Sequence, residues 1–322
     1  MKEYNHGLRP NFEGYVRFGT YRYRFYTNSL GFRDFSARQV PLRADRRRVL
    51  LIGDSFTEGM TVIFDESHAG LLYAAGQRRK QPIEFLNAAV VSYSPVIYYQ
   101  KIKYLLSRGL DFDEVVVFSD ISDVQDEATN YFCIDDHPEY RKYCVNPDTG
   151  NKPLGQWWQQ HFVISNLMWM LVQNGLRRSS DSREANSPVP DDLRSGWTIP
   201  GYQVGNTYAP LGIEGGITRS RQNMQALADL LRGRNIPLTI VVYPWPLQLA
   251  LDDRASRQER IWRDFCADNC KAFIDLFPVF FAEKDAHKDW RHRLFIDGDV
   301  HLSVAANRMV FETVAKSLLP RD

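Results

Sequence analysis

The sequence predicts a three-layer α/β/α fold around a five-stranded, mostly parallel sheet, interrupted by one helical and loop insertion. Three observations predict it. Apolar strand-like runs alternate with helical periodicity over residues 47–125. The same rhythm resumes over residues 219–319. The first apolar run, Arg48–Ile52, ends in Gly53-Asp54-Ser55, and a serine just past a strand's carboxyl end sits where open α/β sheets bind ligands.

Taken in order, residues 1–46 form an N-terminal extension rich in aromatic residues and arginine. Tyr21–Tyr26 alternates as a strand does, and Thr27–Asp34 reads as a turn. Arg33 in that turn is either a ligand for an acidic group or a salt-bridged structural arginine. Arg48–Ile52 is a buried strand, because a parallel sheet covered on both faces needs a continuous apolar run. A helix over Glu66–Arg78, a strand over Ile83–Val90, a helix over Ile97–Ser107 and a strand over Glu114–Phe118 complete a βαβαβ unit with right-handed crossovers.

From residue 126 to about 216 the alternation stops. Trp157–Leu176 reads as a helix, Arg177–Asp192 as a mobile polar loop, and Trp197–Pro210 as loop or short strand. The block leaves the carboxyl edge of the sheet, so it is read as a lid or substrate wall inserted into a single domain spanning residues 1–322. A helix over Arg219–Arg232 stops at Gly233. The strand Leu238–Val242 then runs into Tyr243-Pro244-Trp245-Pro246, whose prolines end it abruptly. Trp245 is thereby a candidate for stacking on a substrate ring, with a core role as the alternative. A helix over Arg254–Ala267, a strand over Ala272–Leu276 and a last helix over residues 303–319 finish the unit.

Composition excludes several classes. The chain of 322 residues is 44% hydrophobic and 25% charged, as ordinary globular domains are. A net charge of +1 gives no field that would favour nucleic acid or an anionic membrane. There is no run of eighteen apolar residues, no secretory signal, and no phosphate-loop, dinucleotide or zinc motif. No cofactor and no metal are therefore expected, and a membrane connection only through an anchor outside this chain. Of four cysteines, Cys133 with Cys144 and Cys266 with Cys270 form two local pairs. They fit two disulfides and an exported, periplasmic-type compartment; free thiols in a cytoplasmic protein are the alternative.

The chemistry lies at the two ends of the chain. A serine hydroxyl is a weak nucleophile until an imidazole takes its proton, and the imidazole needs a carboxylate to fix its tautomer. Ser55 and the pair Asp299 and His301, in Asp297-Gly298-Asp299-Val300-His301, supply all three groups. Asp297 is a fallback carboxylate. Each piece alone also fits a plainer role, Ser55 as a helix cap and His301 as a surface histidine.

Together these blocks resemble the SGNH (GDSL-type) hydrolases, a flavodoxin-like α/β/α family whose first block reads Gly-Asp-Ser. Asp-x-His in place of a longer spacing is similar to the variant of bacterial exported polysaccharide O-acetyltransferases and esterases. The resemblance covers roughly residues 47–125 and 236–319. It implies Ser55 as nucleophile, His301 as base and Asp299 as the residue orienting it. It further implies an oxyanion hole from the N–H groups of Ser55 and Ser92, joined by Ser122. Ser92 stands where the family has a glycine, and Ser122 where it has an asparagine. The implied function is a serine-dependent acyl-ester hydrolase or O-acyltransferase acting on an acylated small molecule or a bacterial glycan. The alternative is a catalytically impaired glycan-binding protein on the same fold.

Overall fold

Five runs of β-branched and apolar residues set the centre of the molecule. In the computed structural model, which describes residues 3–18, 21–134 and 190–319, β4 (Arg48–Ile52), β5 (Glu84–Asn87), β6 (Glu114–Ser119), β7 (Leu238–Val242) and β8 (Ala272–Asp275) run parallel in the order β5-β4-β6-β7-β8. The first four are buried along their whole length, which is why their sequences lack the alternation of a half-exposed strand.

The N-terminal extension adds three antiparallel strands to this sheet. β1 (Glu13–Phe18) and β2 (Tyr21–Thr27) form a hairpin, and the two-residue β3 (Arg33–Asp34) joins β2 to β5. The sheet therefore has eight strands in the order β1-β2-β3-β5-β4-β6-β7-β8. The expected five parallel strands are present. The stretch Thr27–Asp34, expected to turn, ends in a strand at Arg33–Asp34, and β1 is unexpected from sequence because its six residues begin Glu-Gly and keep no regular alternation.

The helical layers follow from strand order. The chain steps from β4 out to β5 through α2 (His68–Gln77), then back past β4 to β6 through α3 (Pro95–Ser107). Right-handed crossovers in opposite directions put these helices on opposite faces. The reversal also makes the carboxyl end of β4 the switch point of the sheet, where ligand crevices form. The one-turn helix α1 (Ser55–Glu58) begins there.

After β6, α4 (Asp123–Thr129) follows at once. The expected helix Trp157–Leu176, most of the expected loop Arg177–Asp192 and Cys144 lie outside the described residues. The chain is described again from a 3-10 segment, Pro190–Thr198, where loop or strand was expected near Trp197. The next helix, α5 (Gly212–Arg232), starts seven residues before the expected Arg219 and packs on α3 and α4. Gly216 there meets the Val124 carbonyl so closely that a Cβ would lie 2.3 Å from it, so the glycine permits contact. α6 (Pro246–Ala250), α7 (Arg257–Asn269), α8 (Phe277–Ala286), α9 (Trp290–Leu294) and α10 (Val304–Leu318) complete the chain.

Cys266 and Cys270 are disulfide-bonded, with Cα atoms 4.6 Å apart. The helix ends at Asn269 and Cys270 is extended, as an i,i+4 pair requires. No described helix is long and apolar enough to cross a membrane.

Candidate active site

Ser55 is placed by the sharp turn after β4. Gly53 leaves no room for a side chain: a Cβ would lie 2.6 Å from Thr57 Oγ1 and 3.0 Å from the Phe118 carbonyl. Asp54 caps α1 by accepting from Phe56 N–H at 3.0 Å. Ser55 thus becomes the first helical residue, 8% exposed.

His301 arrives from the other end of the chain on a tight loop. Ile296 N–H donates to the His301 carbonyl at 2.9 Å, Phe295 bridges Leu302, and Gly298 turns the chain at φ +72°. The imidazole Nε2 lies 2.8 Å from Ser55 Oγ, across 246 positions of sequence. Its Nδ1 lies 2.5 Å from Asp299 Oδ1, which also accepts His301 N–H at 2.9 Å. A carboxylate only accepts, so Nδ1 carries the proton and Nε2 is left to accept from the serine hydroxyl. Burial alone would raise the Asp299 carboxyl, but the bonds from His301 and its charge outweigh it and hold the group below its usual range. Asp297 is elsewhere, paired with His292 on the surface.

Beneath Ser55 lies a group of buried carboxyls that sequence reasoning did not assemble: Asp54, Asp120, Asp123 and Asp126. Asp120 accepts from Tyr243 Oη at 3.0 Å, Trp245 Nε1 at 2.8 Å and Ser122 N–H at 2.8 Å. Burial and the neighbouring Asp120 push the Asp54 carboxyl well up. Asp54 Oδ2 lies 3.4 Å from Ser55 Oγ, further than the imidazole. Arg194, from the 3-10 segment, pairs with Asp126 at 3.3 Å and brings one cation to the group.

The second predicted block packs against the turn that carries Ser55. Val90 N–H donates to the Gly53 carbonyl at 3.4 Å, and Tyr93 N–H closes a turn onto the Val90 carbonyl at 3.2 Å. Ser92 sits third in that turn at φ +60°, a conformation natural to the glycine that the resemblance aligns here. Ser92 is exposed, and its N–H has no intramolecular partner among the described residues. Lys101 runs underneath, fully buried, donating to the Ala88 carbonyl at 2.7 Å; burial pushes its pKa down to about 7. Ser122, at the start of α4, is buried and its hydroxyl makes no cap bond.

Of the two readings open for Arg33 and for Trp245, burial supports the structural one and not the ligand one. Arg33 is 1% exposed, and its guanidinium donates to the carbonyls of Glu58, Gly59 and Val62. It braces the chain after α1 instead of facing a ligand. Trp245 is 2% exposed, bonded to Asp120 and stacked on Phe56 at 5.6 Å. It supports the site from the core. Beside α1, the N-terminal hairpin walls a cavity of about 300 Å³ lined by Leu8, Phe12, Tyr23, Phe25, Glu58 and Met60.

No family model matches the chain, and no curated protein matches it. Solved structures do. A psychrotrophic esterase EstA from Pseudoalteromonas sp. is 11% identical with a TM-score of 0.45, over 84% of this chain and 96% of that one. A catalytic mutant of Axe2, an acetylxylan esterase from Geobacillus stearothermophilus, is 11% identical with a TM-score of 0.48, over 87% and 98%. A protein of the lipolytic G-D-S-L family from Desulfitobacterium hafniense is 12% identical with a TM-score of 0.42, over 84% and 99%.

Proposed function

We propose that this chain is a serine-dependent acyl-ester hydrolase of SGNH type, with Ser55, His301 and Asp299 as its catalytic residues. One observation carries the reading: a single imidazole bonds Ser55 Oγ at 2.8 Å on one side and Asp299 at 2.5 Å on the other. His301 Nε2 takes the serine proton as Oγ attacks the ester carbonyl. The carbonyl oxygen becomes an oxyanion facing the N–H groups of Ser55 and Ser92, with the Ser122 hydroxyl as a third donor. His301 then gives the proton to the leaving alcohol. Water, activated in the same way, releases the acid and restores Ser55.

The substrate we propose is an O-acylated glycan, on the resemblance of Asp299-Val300-His301 to the exported O-acetyltransferase and esterase branch. A sugar hydroxyl replacing water at the second step gives transfer instead of hydrolysis. The Cys266–Cys270 disulfide supports an oxidising, exported setting. Residues 126–216 are proposed as the substrate wall, and within them Arg194 pairs with Asp126 at 3.3 Å.

The test is covalent labelling with a serine-directed fluorophosphonate, alongside hydrolysis of an activated acetyl ester. Label on the peptide holding Ser55, and turnover lost in Ser55→Ala, is the expected result. Buffer-level hydrolysis and no label in the native protein would leave glycan binding without turnover as the better description.

A further inference from the structure

Two side chains remote in sequence hold Val91, the residue before Ser92, one at its carbonyl and one at its N–H. His6, in the N-terminal segment, places its ring Nε2 2.8 Å from the Val91 carbonyl oxygen. Glu58, on the turn of helix that begins at Ser55, accepts Val91 N–H at 2.8 Å. His6 is itself fixed, because Tyr93 Oη donates to the His6 carbonyl at 2.6 Å and the two rings meet edge-on at 4.9 Å. Glu58 is 5% exposed, and Arg33 secures the backbone on which it stands.

These contacts matter because of what a planar trans peptide does. The C=O of Val91 and the N–H of Ser92 belong to one rigid unit and point in opposite directions. Holding the carbonyl on His6 therefore fixes where the Ser92 N–H is aimed. The turn has a second arrangement available. Rotating its central peptide converts a type II turn, with positive φ at the third residue, into a type I turn, with negative φ there. A serine intrinsically favours the second arrangement, because the left-handed region costs an L-residue about 1–2 kcal/mol. Ser92 nevertheless sits at φ +60°. Something outside the turn must hold it there.

We infer that His6 is a positioning residue that keeps the Ser92 N–H aimed at the oxyanion, with Glu58 anchoring the preceding residue. The inference rests on the acyl-hydrolase reading above. It explains how a serine serves where the aligned family position is glycine: the conformational preference that glycine supplies by itself is here supplied by a histidine contact. It also gives the N-terminal segment a role in the reaction without touching substrate. A carbonyl oxygen only accepts, so His6 Nε2 carries the proton in its contact with Val91.

The experiment compares the native protein with His6→Ala, Ser92→Gly and the double variant on an activated acetyl ester, using protein whose melting temperature is unchanged. His6→Ala is expected to lower kcat by about 10- to 100-fold, less than the roughly 100- to 1,000-fold of a donor removed outright because the N–H is misaimed and not deleted, with KM within about twofold. Adding Ser92→Gly is expected to restore most of that loss, since glycine returns to positive φ unaided. A structural role for His6 would not respond to glycine at position 92. Native kcat in folded His6→Ala, or a loss that Ser92→Gly leaves untouched, overturns the inference. A crystal structure of His6→Ala decides it without turnover: Ser92 retained at positive φ refutes the clamp, and Ser92 at negative φ supports it. An inert native protein that still shows this change would fault the hydrolase reading and leave the clamp standing.

Discussion

The ring of Phe56 lies stacked on the imidazole of His301, with centroids 4.7 Å apart and planes inclined by 28°. Phe56 is the residue after Ser55, so one turn of chain presents the hydroxyl to Nε2 and an aromatic face to the same ring. Behind it Trp245 stacks in turn at 5.6 Å. The imidazole is thereby held by its edges through hydrogen bonds and by its face through packing.

Phe56→Leu keeps the site apolar and removes that face. Aromatic pairing of this kind contributes about 0.5–1.5 kcal/mol, so kcat is expected to fall roughly two- to tenfold, with little change in KM. Steady-state kinetics on an activated acetyl ester measures it. Unchanged kcat would mean that the two hydrogen bonds alone orient His301.

Arg33→Lys separates bracing from substrate binding. A lysine's single nitrogen does not reproduce the fork whose two nitrogens serve Glu58 and Gly59 on one side and Val62 on the other, so carbonyls inside the protein would lose donors. Unfolding stability in urea is expected to fall by about 2–4 kcal/mol. A rise in KM with native stability would restore Arg33 as a ligand.

His68 makes stability depend on pH. Burial lowers its imidazole from 6.5 to about 4, against a smaller opposing effect of the bond to Asn307. Between these values the unfolded chain binds the proton and the folded chain resists it. Stability is full above about pH 6.5 and is lost as pH falls towards 4, by up to about 3 kcal/mol. Urea titrations across that window should show the slope in the native protein and a shallower one in His68→Gln. Equal slopes would assign acid sensitivity elsewhere.

The Cys266–Cys270 bond closes a short loop just before the amino end of β8, whereas Ser55 follows the carboxyl end of the parallel β4. Replacing both cysteines with alanine is expected to cost about 2 kcal/mol of stability. Ester turnover should stay at the native level at temperatures where the variant remains folded. A parallel fall in turnover would contradict this separation.

The central strands were legible because burial on both faces leaves an unmistakable apolar run: Arg48–Ile52 and Leu238–Val242 match residue for residue. The positions of Ser55, Asp299 and His301 were legible because they follow short motifs. What escaped was set by partners distant in sequence. Arg33 and Trp245 have residue types that suit ligand binding, and only tertiary contacts with the Glu58–Val62 chain and with Asp120 show them to be buried supports. The group Asp54, Asp120, Asp123 and Asp126 joins the ends of two strands, β4 and β6, to the helix after the second, and no spacing rule links them. His6 has no local signal either, since its meaning depends on a carbonyl 85 residues away.

The distance in sequence between Ser55 and His301 has a consequence in time. With 246 positions between them, a ribosome adding ~5–20 residues per second needs roughly 10–50 s to pass from one to the other. For most of that interval the strands β4, β5 and β6 exist without the loop that delivers the imidazole. The serine is born unactivated and stays so until the last part of the chain docks. Contacts of such high order also form late when a chain refolds, because the closure entropy must be met before they contribute. Recovery of ester turnover should accordingly lag behind recovery of the central sheet, and the delay would be a clock for the docking of the final loop and helix.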